Sequence, residues 1–226
     1  GFVKAGFDIR LAIESDPACC DTLRTNFPDV KVVNERVENL DAKEILRLAG
    51  LQPLEPALLI GGPPCQSFSL AGKREGLDDD RGRLLWEYIR VLRALLPVAF
   101  VMENVPGLLN WNKGRARRML IEQFSKPIKF KGTTYQYRVV NDLLNACDFG
   151  VAQKRGRVFF VGNRTGVAFE FPKPLYLPPE QAKFLGEPVQ QTVWNAIGSL
   201  PPSEEPSEVA KRVSRTIKGR IESHGY

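Results

Sequence analysis

Cys65 stands in the stretch Gly61–Ser69, Gly-Gly-Pro-Pro-Cys-Gln-Ser-Phe-Ser, directly after the apolar run Ala57–Ile60. The run reads as a buried strand, so the thiol lies just past a strand end, on a loop stiffened by Pro63 and Pro64. In open α/β sheets, ligands and chemistry collect at that edge. A nucleophile gains most when its geometry is fixed in advance. Alone, Cys65 reads better as a buried, inert cysteine behind a proline turn; the rest of the chain reverses that reading. Two further polar segments follow apolar runs: Glu14-Ser15-Asp16 after Ile9–Ile13, and Glu103-Asn104-Val105 after Pro97–Met102. If these strands are parallel neighbours, thiol and carboxylates share one edge. A carboxylate at a strand end suits a ribose diol, and a thiol beside a carboxyl suits covalent catalysis with acid assistance. The single histidine, His224, is two residues from the last residue of the sequence. A Cys-His or Ser-His-Asp mechanism needs a histidine base beside its nucleophile, so Cys65 is expected to act without one. No metal site is expected either.

The elements that must position these groups alternate. Asp16 with Pro17 opens a helix running to about Asn26, with Cys20 and Leu23 inward. Val30–Val33 is a strand candidate and Ala42–Leu48 a helix. Arg83–Leu96 carries Leu85, Tyr88, Ile89, Leu92, Leu95 and Leu96 at helical spacing and stops at Pro97. Tyr135–Val140 and Arg157–Val161 read as strands separated by a helix or loop over Asn141–Gln153. Such a pair fits antiparallel at the edge of an otherwise parallel sheet. Phe171–Pro188, with Pro172, Pro174, Pro178 and Pro179, reads as a linker, and Thr192–Leu200 as a short capped helix. The fold class is α/β with helices on both faces of a mixed sheet.

Across 226 residues the hydrophobic content is 43%, which suits a globular core, and the net charge is +6. The four cysteines (Cys19, Cys20, Cys65 and Cys147) form no disulfide framework. No apolar run approaches a membrane span and no secretory leader opens the sequence, so a soluble intracellular protein is expected. Basic clusters at Lys73-Arg74, Arg81/Arg83 and Lys154–Arg157 are well placed for phosphates; those at Arg115–Arg118 and Lys211-Arg212 read as solvated faces.

With these blocks in order, the chain resembles the bacterial type of the cytosine-C5 DNA methyltransferase family. The resemblance rests on Gly1–Phe7 with Ile9–Asp16, Gly62–Ser69, Arg81-Gly82 leading into its helix, Glu103-Asn104-Val105, and Gln153-Lys154-Arg155-Gly156-Arg157. It covers residues 1–174 as the catalytic domain and leaves 175–226 as a linker and the beginning of a target-recognition region. It implies a Rossmann-like, S-adenosylmethionine-dependent methyltransferase sheet, with S-adenosylhomocysteine as product and no metal. Cys65 would add to carbon 6 of a flipped-out cytosine, making carbon 5 nucleophilic. Glu103 would contact N3 and the amino group. Arg157 would hydrogen-bond the base, and Arg155 would support the site or the backbone. Glu14 matches the ribose-binding position. Ser15 stands where the family often has an aromatic residue on the adenine. Glu35 is matched to the adenine amino group, or is a solvated carboxylate. Pro64 and Leu84 would line the cofactor, Leu84 being equally readable as core. Gln66, Ser69, Lys73 and Arg81 would face DNA, with Lys73 equally readable as a loop charge.

The resemblance further implies a glycine-rich strand and loop before Gly1 and a base-reading domain after Tyr226, on the same polypeptide or on a second chain. The expected partner is double-stranded DNA, with no membrane partner. A monomer is expected unless the enzyme is split, in a bacterial cytoplasm or nucleoid and a restriction–modification or epigenetic marking context. Two rivals stand: a transfer-RNA methyltransferase of the same fold, against which Ser67-Phe68-Ser69 argues, and a non-catalytic DNA-binding paralogue.

Overall fold

The computed structural model describes residues 1–64 and 83–200. Two sheets organise them. Strands β1 (Leu11–Glu14) and β2 (Lys31–Asn34) form a parallel pair. Strands β3 (Leu58–Gly61), β4 (Ala99–Asn104), β7 (Arg138–Asn145) and β8 (Gly156–Asn163) form a second sheet in the order β3-β4-β8-β7. β3 and β4 are parallel, and β8 is antiparallel to both β4 and β7. The late strands thus pair antiparallel as expected, but only β8 is reversed; β7 runs with β3 and β4.

Helix α1 (Pro17–Asn26) starts on Asp16, whose carboxylate accepts the N–H groups of Ala18 and Cys19, with Pro17 supplying a helical φ at the first position. Cys20 is its buried residue. Helix α2 (Ala42–Ala49) is capped by Asp41 on the Glu44 N–H and ends at Gly50, whose φ of +67° closes the last turn. Helix α3 (Arg83–Leu95) buries Leu85, Tyr88, Ile89, Val91, Leu92 and Leu95. The chain turns at Leu96 (φ +50°) into Pro97, which cannot extend a helix.

Along β4, Phe100, Met102 and Asn104 alternate inward. Their face meets α3 and helix α5 (Arg115–Ser125), which follows the short helix α4 (Gly107–Asn110). Phe100, Phe124, Tyr88, Tyr137 and Phe160 make the aromatic centre, with the Phe100 and Phe124 ring centroids 4.8 Å apart. The Tyr137 hydroxyl donates to the Pro97 carbonyl at 2.7 Å, which satisfies a buried phenol whose ionisation burial pushes well above its ordinary range.

The two sheets share a cover. Ile45 and Leu46 of α2 pack with Val91 and Leu95 of α3, and this cluster meets Leu11 and Ile13 of β1 as well as Leu59 of β3. Arg90 of α3 donates to the carbonyls of Val37 (3.1 Å) and Leu40 (2.9 Å), fixing the segment between β2 and α2. No ladder joins β1 to β3 among the described residues.

Several segments depart from expectation. β7 extends to Asn145, where Asn141–Gln153 reads as helix or loop, and a 3-10 turn, Ala146–Phe149, follows. As the outermost strand of its sheet, β7 tolerates Asp142 on an exposed face while every residue from 138 to 145 pairs with β8. α5 was concealed by its arginines: Ala116, Leu120 and Phe124, four residues apart, form its buried stripe. Strands β5 (Ile128–Phe130) and β6 (Thr133–Tyr135) form a hairpin through Lys131 and Gly132, both at positive φ as a tight hairpin turn requires. The proline-rich linker instead contains helix α6 (Pro179–Leu185), because Pro179 falls at its first turn, and a bridge from Leu177 to Val189. Helix α7 (Val193–Ile197) follows with the expected cap, a reciprocal box between Thr192 and Asn195.

Gly162 pairs with Phe100 across β4 and β8, and a β-carbon there would overlap the Phe100 ring. Gly162→Ala is expected to destabilise the fold by about 1–3 kcal/mol through overpacking. Urea unfolding measures this, and an unchanged midpoint would contradict the tight β4–β8 contact.

Candidate active site

The reversal of β8 builds the site. Because β8 runs against β4, its first residues lie beside the last residues of β4: Asn104 pairs with Val158 and Glu103 with Phe159. Arg157, one residue earlier, reaches the carboxylate end of β4. Its Nε donates to Glu103 Oε1 at 2.8 Å, with the two side chains 23% and 35% exposed. Arg157 also donates from Nη1 to the Gly156 carbonyl at 2.7 Å. The guanidinium is thus anchored at two points, and Glu103 is held on the rim of the sheet rather than buried. A charge-assisted pair of this kind orients both partners.

The end of β3 is pressed against the same carboxylate. A β-carbon on Gly62 would lie 3.2 Å from Glu103 Oε2, and one on Gly61 would lie 2.8 Å from the Tyr88 ring. Glycines therefore let this backbone come close to both. The Tyr88 hydroxyl lies 3.1 Å from the Val101 carbonyl and 3.3 Å from that of Leu59, so α3 supports the two strands from below. Asn104, 3% exposed, donates from Nδ2 to the Pro63 carbonyl at 3.0 Å and accepts the Val105 N–H at 2.9 Å. The role of this amide was not recognised in the sequence, although Phe100, Met102 and Asn104 share one strand face there.

Pro64 is exposed and Leu84, in the first turn of α3, is partly buried. Cys65, Gln66, Ser69, Lys73 and Arg81 lie outside the described residues. Arg155 is exposed; its N–H donates to Asn145 Oδ1 at 2.9 Å and its carbonyl accepts the Ala146 N–H at 3.0 Å, so its backbone fastens the connection between β7 and β8. Of the other cysteines, Cys20 is buried and its Sγ donates to the Glu14 carbonyl at 3.3 Å. The charge of Asp16 raises the Cys19 thiol above its ordinary value, and burial does the same to Cys147. Both effects disfavour the nucleophilic thiolate.

Two acidic residues lie at the ends of β1 and β2. Glu14 closes β1, with Oε1 accepting the Asp16 N–H at 2.8 Å, while exposed Ser15 lies with its hydroxyl 3.5 Å from the same oxygen. Glu35 follows β2, and its N–H donates to the Glu14 carbonyl at 3.1 Å. Hydrogen bonds from the Arg36 N–H and then from the Asn39 amide hold the Glu35 carboxyl below its ordinary range. Carboxylates that follow two neighbouring parallel strands can offer acceptors to a diol and an exocyclic amine, the donor groups of a nucleoside. Among the described residues no group of three or more His, Cys, Asp or Glu side chains is placed to hold a metal ion. No helix among them is long and apolar enough to cross a membrane.

Comparison with known proteins places the chain in a family. The chain is 51% identical to the Type II methyltransferase M.AquIA of Picosynechococcus sp., covering 100% of this chain and 93% of that protein. It is 38% identical to the Type II methyltransferase M1.HphI of Haemophilus parahaemolyticus, over 89% of this chain but 49% of that one. It thus spans nearly all of the first relative and about half of the second. A solved prophage-encoded E. coli protein, described as a DNA modification methyltransferase, superposes with a TM-score of 0.65 at 28% identity, over 88% of this chain and 50% of that one. The Dnmt2 methyltransferase of S. pombe, at 19% identity and a TM-score of 0.52 over 86% of this chain and 51% of that one, shares the fold. The model of the C-5 cytosine-specific DNA methylase family matches residues 1–223. With the Glu103–Arg157 pair at the reversed strand and relatives this similar across the whole chain, the protein belongs to the C-5 cytosine-specific DNA methylase family.

Proposed function

We propose that this chain carries the catalytic centre of a DNA cytosine-C5 methyltransferase of a restriction–modification system, acting on a cytosine flipped out of duplex DNA. The observation that carries the reading is the Glu103–Arg157 pair, set beside the strand end that leads into Pro63, Pro64 and Cys65.

The Cys65 thiolate adds to carbon 6 of the base, and the displaced electron pair makes carbon 5 nucleophilic. Glu103 accepts from the exocyclic amine and shares a proton with N3, and that proton offsets the negative charge the thiolate brings into the ring as the adduct forms. Arg157 keeps the Glu103 carboxylate on the rim, where a flipped base reaches it, and offers its remaining N–H groups to the base. After carbon 5 has been substituted, loss of its proton and elimination of Cys65 restore the aromatic ring. Arg155 steadies the start of β8, through its backbone. Gln66, Ser69, Lys73 and Arg81 contact the DNA around the extruded nucleotide.

The acidic pair at β1 and β2 fits S-adenosylmethionine: Glu14 would accept from the ribose hydroxyls and Glu35 from the adenine amine, with Ser15, Pro64 and Leu84 along the remaining sides. Bound there, the cofactor would supply an electrophilic methyl group. We assign residues 1–174 to the catalytic domain and place a strand from polypeptide preceding Gly1 between β1 and β3. Support comes from the parallel pairing within each of the two sheets and from the helical cover they share. Sequence selectivity is assigned to polypeptide following the catalytic domain, on the same or a second chain.

DNA containing 5-fluorocytosine, incubated with the complete enzyme and cofactor, is expected to form a denaturation-resistant complex. Cys65→Ser is expected to abolish it, while Cys19→Ser and Cys147→Ser leave it intact; trapping by Cys65→Ser at the parental yield would overturn the assignment.

Glu14→Ala is expected to weaken S-adenosylmethionine binding by about 1.5–3 kcal/mol, the scale of a hydrogen bond to a charged group. Calorimetry is the check, and unchanged affinity would remove Glu14 from the site.

A further inference from the structure

The side chain of Asn104 sits between the two loops that the proposed chemistry requires, and nothing in the mechanism above uses it. Among the described residues it is, tyrosines aside, the one buried residue of polar or charged type. Strand alternation turns it inward with Phe100 and Met102, while Glu103 points to the rim. A buried carboxamide must satisfy its polar atoms. Nδ2 donates to the Pro63 carbonyl at 3.0 Å, and Oδ1 accepts the Val105 N–H at 2.9 Å. Rotating the amide by half a turn would set oxygen against carbonyl and NH2 against N–H, so the two contacts fix one orientation. The amide therefore ties the backbone two residues before Cys65 to the backbone two residues after Glu103. On the other side of the same segment, Gly62 lies so close to Glu103 Oε2 that a β-carbon would be 3.2 Å away. The Gly62–Pro64 segment is thus tied by the amide, and the glycine leaves room for the Glu103 carboxylate beside it.

We propose that Asn104 is a positioning residue that sets the register between the Cys65 loop and the Glu103 carboxylate, so that both address one cytosine ring. This inference rests on the reading of Cys65 as the nucleophile. Asn104 touches neither base nor cofactor; it acts through Pro63 and Val105. Displacing a reacting group by about 1 Å can cost about 100-fold in rate without weakening binding.

The test uses the complete enzyme with Asn104→Asp, which keeps the shape and the acceptor for Val105 but turns an oxygen toward the Pro63 carbonyl. Asn104→Ser serves as a smaller second variant. Each is measured for thermal unfolding, for kcat and KM toward DNA and cofactor, and for the rate of covalent trapping on 5-fluorocytosine DNA. The expected result is a fold that still unfolds cooperatively, KM values within about threefold of the parent, and kcat and trapping rate falling together by about 10- to 100-fold. Parental kcat and trapping rates in a folded variant would overturn the proposal. So would losses that merely follow a reduced folded fraction, or failure of both variants to fold, since the amide would then be structural only. Parallel trapping with Cys65→Ser separates the two levels. If that variant traps normally, the nucleophile assignment has failed; if it does not trap while Asn104→Asp traps at the parental rate, only the positioning role has failed.

Discussion

A single reversed strand decides where the chemistry can be. In a wholly parallel sheet, each strand delivers its last residues to one edge and its first residues to the other. Arg157, at the start of β8, would then lie a full strand length from Glu103. Because β8 runs against β4, the beginning of one and the end of the other coincide, and a guanidinium meets a carboxylate at 2.8 Å. β7, running with β4 again, closes the far side and holds β8 in place along eight paired residues. The Phe100–Gly162 contact bears on the same arrangement, since a side chain at Gly162 would push β8 away from β4 and separate the pair at the rim.

Beneath that rim the support is mainly aromatic. Tyr88 reaches from α3 to the backbones of β3 and β4, and Phe100, Phe124, Tyr137 and Phe160 fill the space between the sheet and α5. Burial raises the ionisation of Tyr88 far above its ordinary range, so its hydroxyl stays a donor across the working pH range of a protein. The site is thus mounted on rings with few internal freedoms, and the glycines at 61 and 62 allow the strand end to rest directly on Tyr88 and Glu103.

Much of this was legible in the residues. Asp16-Pro17, the periodic stripe of Arg83–Leu96 and the apolar runs before Cys65 and Glu103 are local signals, and local physics carried them into the fold. What escaped depended on neighbours. The arginines of α5 mask a stripe spaced by four, which matters only because Phe100 and Tyr88 wait to receive it. Asp142 and Asn141 look like loop residues until β7 is known to lie at the edge of its sheet. The prolines of 171–188 suggest a linker unless one of them lands at a helix start. The motifs pointed to Glu103 and Arg157 by kind; that they touch is a consequence of strand direction, which no spacing encodes. Asn104 was in view as part of a motif, yet its partner, Pro63, is forty-one residues away.

The shared cover over the two sheets has a mechanical meaning. A hydrogen-bonded ladder behaves as a ratchet: neighbouring strands sit about 4.8 Å apart, and slip comes in whole residues. Side chains packed in a cluster behave as a bearing, in which small slides cost little until the next interlocking position. The acids Glu14 and Glu35 ride on one sheet and Glu103 on the other, and among the described residues Ile45, Leu46, Val91 and Leu95 form the bearing between them. Among the described residues, the spacing between these two strand edges is therefore gauged by the sizes of four aliphatic side chains, and residues with no chemistry of their own become its calibration.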